Sequence, residues 1–282
     1  MKVLVAGCGD LGTEVGLRLA AAGHEVVGLR RSPQRLPAPI VGVGGDLATG
    51  RIADLPADTE VVVYPAAAGE RSEAAYLGTY VAGPQHVLDA LARAGARPRR
   101  FVFVSSTAVY GTDDGSWVDE DTPPEPSSWS GEILLDAEVA VQDRAPSPTV
   151  VRLSGIYGPG RTRLIDQVRE GRAVVADPPV YANRIHRDDA AAAIVHLLLA
   201  VAEPAACYLG SDRAPVDRGA VVRWLATQLG VAPPPSGPDQ RSRGGNKRCR
   251  SDRLVATGFR FAFPTYREGY AAVLRGEGIR HP

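Results

Sequence analysis

Lysine is almost absent. Lys2 and Lys247 are the only lysines in 282 residues, and the other 30 basic residues are arginines. Any chemistry that requires an ε-amine therefore has two candidates. Cysteine is scarce as well: Cys8, Cys207 and Cys249 are odd in number, far apart and without a CxxC spacing, which argues against a disulfide framework and against a zinc site. The five histidines, His24, His86, His186, His196 and His281, share no ligand spacing, so no metal is expected. Long apolar runs are missing; the longest, over 190–202, includes His196 and is too short to span a bilayer. The opening apolar run, 3–6, meets Gly7 and Asp10 too soon for a secretory leader. No charge of one sign prevails, since 32 basic residues balance 32 acidic ones, and no global field draws the chain to nucleic acid or to a membrane. These absences lead to the expectation of a reduced, cytoplasmic protein whose partner is a small molecule.

What is present has an ordinary globular composition, 44% hydrophobic and 23% charged. The length allows one large domain or two joined smaller ones. Strand-like runs near 2–6, 25–29, 40–43, 60–64, 101–105 and 149–153 alternate with helical patterns, and several are continuously apolar. Both features predict an α/β, Rossmann-type doubly wound parallel sheet with helices on both faces. In the first helix Leu11, Val15 and Leu19 recur every four residues, and Gly23 stands where a C-terminal cap would end it. Beyond 153 the pattern loosens, with helices expected at about 188–202 and 216–229. We expect a nucleotide-binding domain over 1–153, completed by 184–209, and a small C-terminal substrate-binding lobe from 154–183 and 210–282. Two proline-rich stretches, 121–128 and 231–238, read as an active-site-side loop and a connector within the lobe.

Gly7-Cys8-Gly9-Asp10-Leu11-Gly12 is a G-x-G-x-x-G that leaves a predicted strand and opens a predicted helix. Its glycines allow a tight turn and let backbone amides approach a pyrophosphate at the positive end of the helix. At the end of the second strand, where an acidic residue would bind the ribose 2′-hydroxyl of NAD, stand Arg30 and Arg31. Guanidinium groups there suit the 2′-phosphate of NADP. Asp46, with Leu47, follows the third strand, where its carboxylate either meets the adenine amino group or sits in a solvated turn. Ala66 and Ser105 complete the expected cofactor contacts.

Ser105-Ser106-Thr107-Ala108-Val109-Tyr110-Gly111, Ile156-Tyr157-Gly158-Pro159-Gly160 and Arg184-Ile185-His186-Arg187-Asp188-Asp189 together resemble the SSxxVYG, YGPG and IHxxD motifs of the extended short-chain dehydrogenase/reductases, the NAD-dependent epimerase/dehydratase superfamily. The segments 117–120, 183–186 and 266–269 resemble an atypical branch of it. The resemblance covers nearly the whole chain and implies an NAD(P)-binding enzyme, with Ser106 at the position of the hydroxyl that polarises substrate. It also implies a YxxxK pair, which is absent. Aligned on Ala137-Glu138, the tyrosine position falls within 129–131 and the lysine position within 133–135. Tyr80 stands at the family's asparagine position, and Ala182 at the position where sugar-nucleotide enzymes carry an arginine.

Another group must therefore handle the proton. Tyr157 is the first candidate, with packing as its competing role; Ser106 is expected to hydrogen-bond the reacting oxygen in the manner of an oxyanion donor, with backbone satisfaction as its competing role. Tyr110 reads as structural. Asp188 and Asp189 suit the first turn of a helix, with His186 a residue of the domain junction. Asp119 and Glu120, adjacent on a loop, read as solvated. The arginine-rich stretch 241–253 lacks the aromatics or module of a nucleic-acid site; the resemblance places it in the substrate lobe, where either Lys247 or Arg248 meets an anionic substrate or the cofactor phosphates, or the stretch is a solvated surface loop. Apolar helices at about 72–94 and 129–143 either form a homodimer interface or cover the sheet. The expected function is NADP(H)-dependent oxidation or reduction of a small carbonyl, alcohol or imine. The alternatives are a non-redox NADP(H)-binding sensor or docking protein, and an epimerase or dehydratase that regenerates its cofactor.

Overall fold

A computed structural model of the protein describes residues 1–238 and 245–282. Arg241 and Arg243 of the arginine-rich stretch lie outside the described residues. Side chains alternate in direction along an extended chain, and this explains the continuously apolar strands. Val3 and Val5 of β1 (Lys2–Ala6) face one side of a sheet, Leu4 and Ala6 the other, and all are fully buried. The pattern repeats in β5 (Val61–Tyr64) and β6 (Arg100–Ser106). These three join β2 (Glu25–Arg30), β3 (Val41–Asp46), β4 (Arg51–Ile52), β8 (Pro148–Leu153) and β13 (Cys207–Gly210) in an eight-stranded sheet of order β13-β8-β6-β5-β1-β2-β3-β4. Only β4 runs antiparallel to its neighbour. On one face α1 (Asp10–Ala21) packs beside α6 (Arg187–Leu199); on the other lie α3 (Gly83–Arg93) and α4 (Trp129–Arg144).

The strand order reverses between β1 and β5, which opens a crevice at the carboxyl ends of the strands. The single helix expected over 72–94 is instead α2 (Glu73–Tyr76), a wide π-type turn over Leu77–Ala82, and α3. Tyr64 sends its hydroxyl to the Thr79 carbonyl at 2.5 Å, and a Cβ on Gly83 would lie 2.1 Å from that hydroxyl. Pro84 lacks the N–H that a regular turn would use. The inner faces of α3 and α4, including Val87, Leu91, Ala137 and Val141, do cover the sheet.

Short elements carry the chain between the sheet and a second apolar cluster. β7 (Trp117–Val118) pairs with β16 (Arg248–Cys249), and β9 (Gly155–Tyr157) with β12 (Arg184–His186), which sets Tyr157 opposite His186. The second cluster centres on Ile165, Val168, Val221, Leu225, Tyr266 and Tyr270. It is enclosed by α5 (Arg163–Arg169), α7 (Arg218–Leu229) and α9 (Tyr266–Leu274), with β10 (Val175–Ala176) paired to β15 (Ser236–Gly237) and β11 (Tyr181–Ala182) to β14 (Val216–Asp217). Helix α8 (Asp252–Ala256) packs by β13 at the edge of the sheet. Asp217 caps α7, and a Thr265/Glu268 capping box starts α9.

Candidate functional site: a dinucleotide groove and an inner pocket

A groove of about 900 Å³ runs along the crevice. Gly7 has φ +95°, and a Cβ there would lie 2.5 Å from the Ala66 Cβ, so only glycine allows the loop to close against β5's end. A Cβ on Gly12 would lie 2.9 Å from the Gly7 carbonyl oxygen. Gly9 differs: a Cβ on it would have nothing within 4 Å, and it lines the groove. The bend thus leaves backbone accessible at the start of α1, which is the cradle a pyrophosphate needs. Asp10 and Leu11 line the same wall.

At the far end of the groove stand Arg30, Arg31, Ser32 and Arg35. Arg35 was missed in the sequence; its signal was the Arg31-x-x-x-Arg35 spacing, which the one-turn helix Pro33–Arg35 folds back toward β2. No carboxylate ends β2. Asp46 and Leu47 line the groove opposite, although one Asp46 oxygen accepts the Ala48 amide and forms a local turn. Ser105 lines the groove too, but its hydroxyl is committed to Glu138 at 2.5 Å, within a buried network in which Arg152 bonds both Glu138 and Tyr110.

Ser106, Gly155, Ile156 and Arg161 border both this groove and an inner pocket of about 450 Å³. Ser106 ends β6, and its Oγ accepts the Ala108 amide at 3.2 Å, capping the one-turn helix Thr107–Val109. Leu134 lines the groove one turn along α4 from buried Ser130. The face of α4 that meets the groove is therefore apolar, where the family resemblance places a lysine.

Tyr157 does not present a phenol to the pocket. Its ring forms part of the wall, stacked on Tyr270 at 4.4 Å and edge-on to His186 at 5.3 Å. Its hydroxyl is buried against α9, where a Cβ on Gly269 would lie 1.9 Å from it, and burial raises its pKa well above the ordinary value. A proton donor needs an exposed O–H near the substrate, and in this geometry Tyr157 is a wall residue. His186 caps α6 through Nδ1 and stacks on Phe263; burial pushes it down to about 4. The Asp189 carboxylate accepts the Ala262 and Phe263 amides. Both act at the junction. Glu120 is not solvated: it accepts the Leu209 amide, and burial raises its pKa.

The Asp10 carboxylate is a hub at the edge of the groove. It accepts from Arg161 Nε at 2.8 Å, Arg187 Nη1 at 2.9 Å and the His281 amide at 3.1 Å. The segment 279–282 is fastened further by Arg187 to the Ile279 carbonyl, His281 to Glu14, and Arg30 to the Pro282 carbonyl. Among the described residues no three His, Cys, Asp or Glu side chains gather as a metal site, and no helix is long and apolar enough to cross a membrane.

A doubly wound sheet with a glycine-loop groove at its switch point defines a dinucleotide-binding α/β protein. The chain belongs to the NAD dependent epimerase/dehydratase family, whose sequence profile matches residues 3–208. A solved protein of Methylobacillus flagellatus, provisionally named an NAD-dependent epimerase/dehydratase, is 39% identical, with 98% of each chain covered and a TM-score of 0.81. MoeE5, solved with UDP-glucuronic acid and NAD, is 25% identical, with 96% of this chain and 97% of that one covered and a TM-score of 0.79. The dTDP-6-deoxy-L-talose 4-dehydrogenase (NAD(P)(+)) of Kitasatospora kifunensis is 31% identical over 170 residues, 56% of this chain; the match spans about half (53%) of that relative.

Proposed function

We propose that the protein is an NADP(H)-dependent oxidoreductase that acts on a small carbonyl, alcohol or imine without a tyrosine–lysine pair. One observation carries the cofactor choice: Arg30, Arg31 and Arg35 gather at the end of the groove where an NAD-preferring site would carry an acid. When bound, the nicotinamide supplies hydride exchange with a substrate carbon. The chain's own residues do the rest. The open backbone at Gly9 and the amino end of α1 hold the pyrophosphate, and the arginines hold the 2′-phosphate. Ser106 stands where groove and pocket meet and hydrogen-bonds the reacting oxygen. Tyr157 shapes the pocket wall. The inner pocket is bordered by Arg161, Arg163, Arg184, Arg218 and Lys247 with no carboxylate among the described residues, which favours a substrate bearing negative charge.

Fluorescence titration of NADPH and NADH tests this reading. A charge-assisted phosphate contact of about 1.5–3 kcal/mol gives roughly a ten- to hundredfold preference for NADPH. The Arg30→Ala, Arg31→Ala double variant is expected to lose most of it, with NADH affinity little changed. Equal affinities for the two nucleotides in the wild type would overturn the NADP assignment. The relative solved with UDP-glucuronic acid and NAD keeps a second reading in view, an epimerase that regenerates its cofactor; product formed without net loss of NADPH is its mark.

A further inference from the structure

We propose that Lys247, brought into the inner pocket from outside the Rossmann sheet, delivers the proton to the substrate oxygen; this rests on the oxidoreductase reading above. The chain has two lysines, and Lys2 lies at the opposite ends of the strands, ion-paired at the surface with Glu25 and Asp58. Lys247 is only 2% exposed, yet it lines the pocket together with Ser106. Its Nζ donates to the Tyr110 carbonyl at 2.7 Å. Tyr110 ends the same one-turn helix that Ser106 begins, and Ser106, Thr107 and Ala108 of that turn line the pocket, so the amine is bonded to the far end of a turn whose first residues form pocket wall.

The backbone around Lys247 is held on both sides. Asn183 Nδ2 donates to the Lys247 carbonyl at 2.9 Å, and Asn183 Oδ1 accepts the Cys249 amide at 2.8 Å. Asn246 donates its amide to Asp113, and its side chain accepts the Tyr181 amide. Arg248 next to it is sandwiched between the Trp117 and Tyr181 rings at 5.0 and 4.7 Å.

Burial pulls the Lys247 ammonium below its ordinary pKa, while Cys249 and Asp113 pull the other way. Arg161, Arg184 and Arg218 border the same pocket. An amine so placed gives up a proton more readily than one in water, as proton transfer near neutral pH requires. When bound, a dihydronicotinamide would supply the hydride that reduces the carbonyl carbon, its own C–H bond breaking as it is oxidised to the nicotinamide. The carbonyl π pair moves to oxygen, an N–H bond of Lys247 breaks, and an O–H bond forms. The neutral amine then regains its proton from solvent.

Two measurements on the full chain with NADPH bound test the proposal. In the first, cyanate is applied over pH 6–10 and carbamoylation of each lysine is followed by peptide mass spectrometry. Lys247 is expected to react, with a rate that rises at lower pH than that of Lys2. A Lys247 that stays unmodified after Lys2 is consumed is locked in structure, and overturns the proposal without any variant having to fold. In the second, NADPH oxidation is read against small aldehydes, 2-oxo acids and cyclic imines. Lys247→Met is expected to lower kcat at least a hundredfold with unchanged NADPH affinity, and Lys247→Arg to move the alkaline limb of the pH profile upward. Full turnover in Lys247→Met overturns the Lys247 role and leaves the oxidoreductase reading intact. Reactive Lys247 without turnover of any compound in the wild type sinks the oxidoreductase reading, and the proton-donor role with it.

Discussion

Asp212 shows how burial at one residue becomes a pH dependence of the whole. Its carboxyl is almost fully enclosed beside the inner pocket, and burial pushes it up to about 7 from 3.8, with Arg184 pulling the other way. Between these values the folded chain holds a proton that the unfolded chain has released. The stability associated with Asp212 is therefore present at low pH and is lost as pH rises through about 7. Asp212→Asn keeps an acceptor for the Ala214 amide and removes the ionisation. We expect the variant to gain on the wild type progressively over pH 4–7 and to be the more stable by a few kcal/mol at pH 8, at about 1.4 kcal/mol per pKa unit before solvent relaxation reduces it. Urea unfolding at pH 5 and pH 8 reads the difference; equal offsets at both values would show that the carboxyl is ionised throughout. Gly7, Arg30 and Ser106 all line the groove, and their places were legible beforehand because a glycine turn and the ends of strands are local properties. Tyr157 was not: only packing on Tyr270 and Gly269 turns its hydroxyl away from the pocket.

Among elements, the segment 279–282 had no signal in the sequence, since a run of mixed polarity gives no period to read. It nonetheless fastens α1, the end of β2 and the start of α6 through Asp10, Glu14, Arg30 and Arg187. Each such bond contributes about 0.5–1.5 kcal/mol net, less where exposed. The three partly buried bonds together give about 1.5–4.5 kcal/mol, so deleting 279–282 is expected to lower Tm by about 3–18 °C, given roughly 2–4 °C per kcal/mol in a chain of this size class. Calorimetry checks it, and an unchanged Tm would mean that the bonds merely replace water. The broken helix over 72–94 has a comparable lesson. Its apolar period was visible, but the wide turn was set by Tyr64, a residue of the sheet that reaches the Thr79 carbonyl.

For the molecule as a whole, the question is whether the second apolar cluster unfolds with the sheet. β9 pairs with β12, and the Asp189 carboxylate at the start of α6 holds the Ala262 and Phe263 amides that lead into α9. These ties favour a single transition. Leu225→Ala in the second cluster and Leu91→Ala on the inner face of α3 remove fully buried side chains and are each expected to cost about 2–5 kcal/mol. Both should move the urea midpoint with m unchanged. A second transition appearing only in Leu225→Ala would show that the cluster opens alone.

The linear order of residues was enough for the architecture. Unbroken apolar strands, helices with one apolar stripe and a glycine turn between them specify a doubly wound sheet and its dinucleotide groove, because periodicity and turn chemistry act over a few neighbours. Each expected strand lies within three residues of its place. Folding alone decided which side chains meet. Lys247 comes to line one pocket with Ser106, 141 positions earlier in the chain, and Asp10 joins Arg161, Arg187 and the His281 amide. Such encounters depend on how distant elements pack, and no local pattern of side chains carries that information.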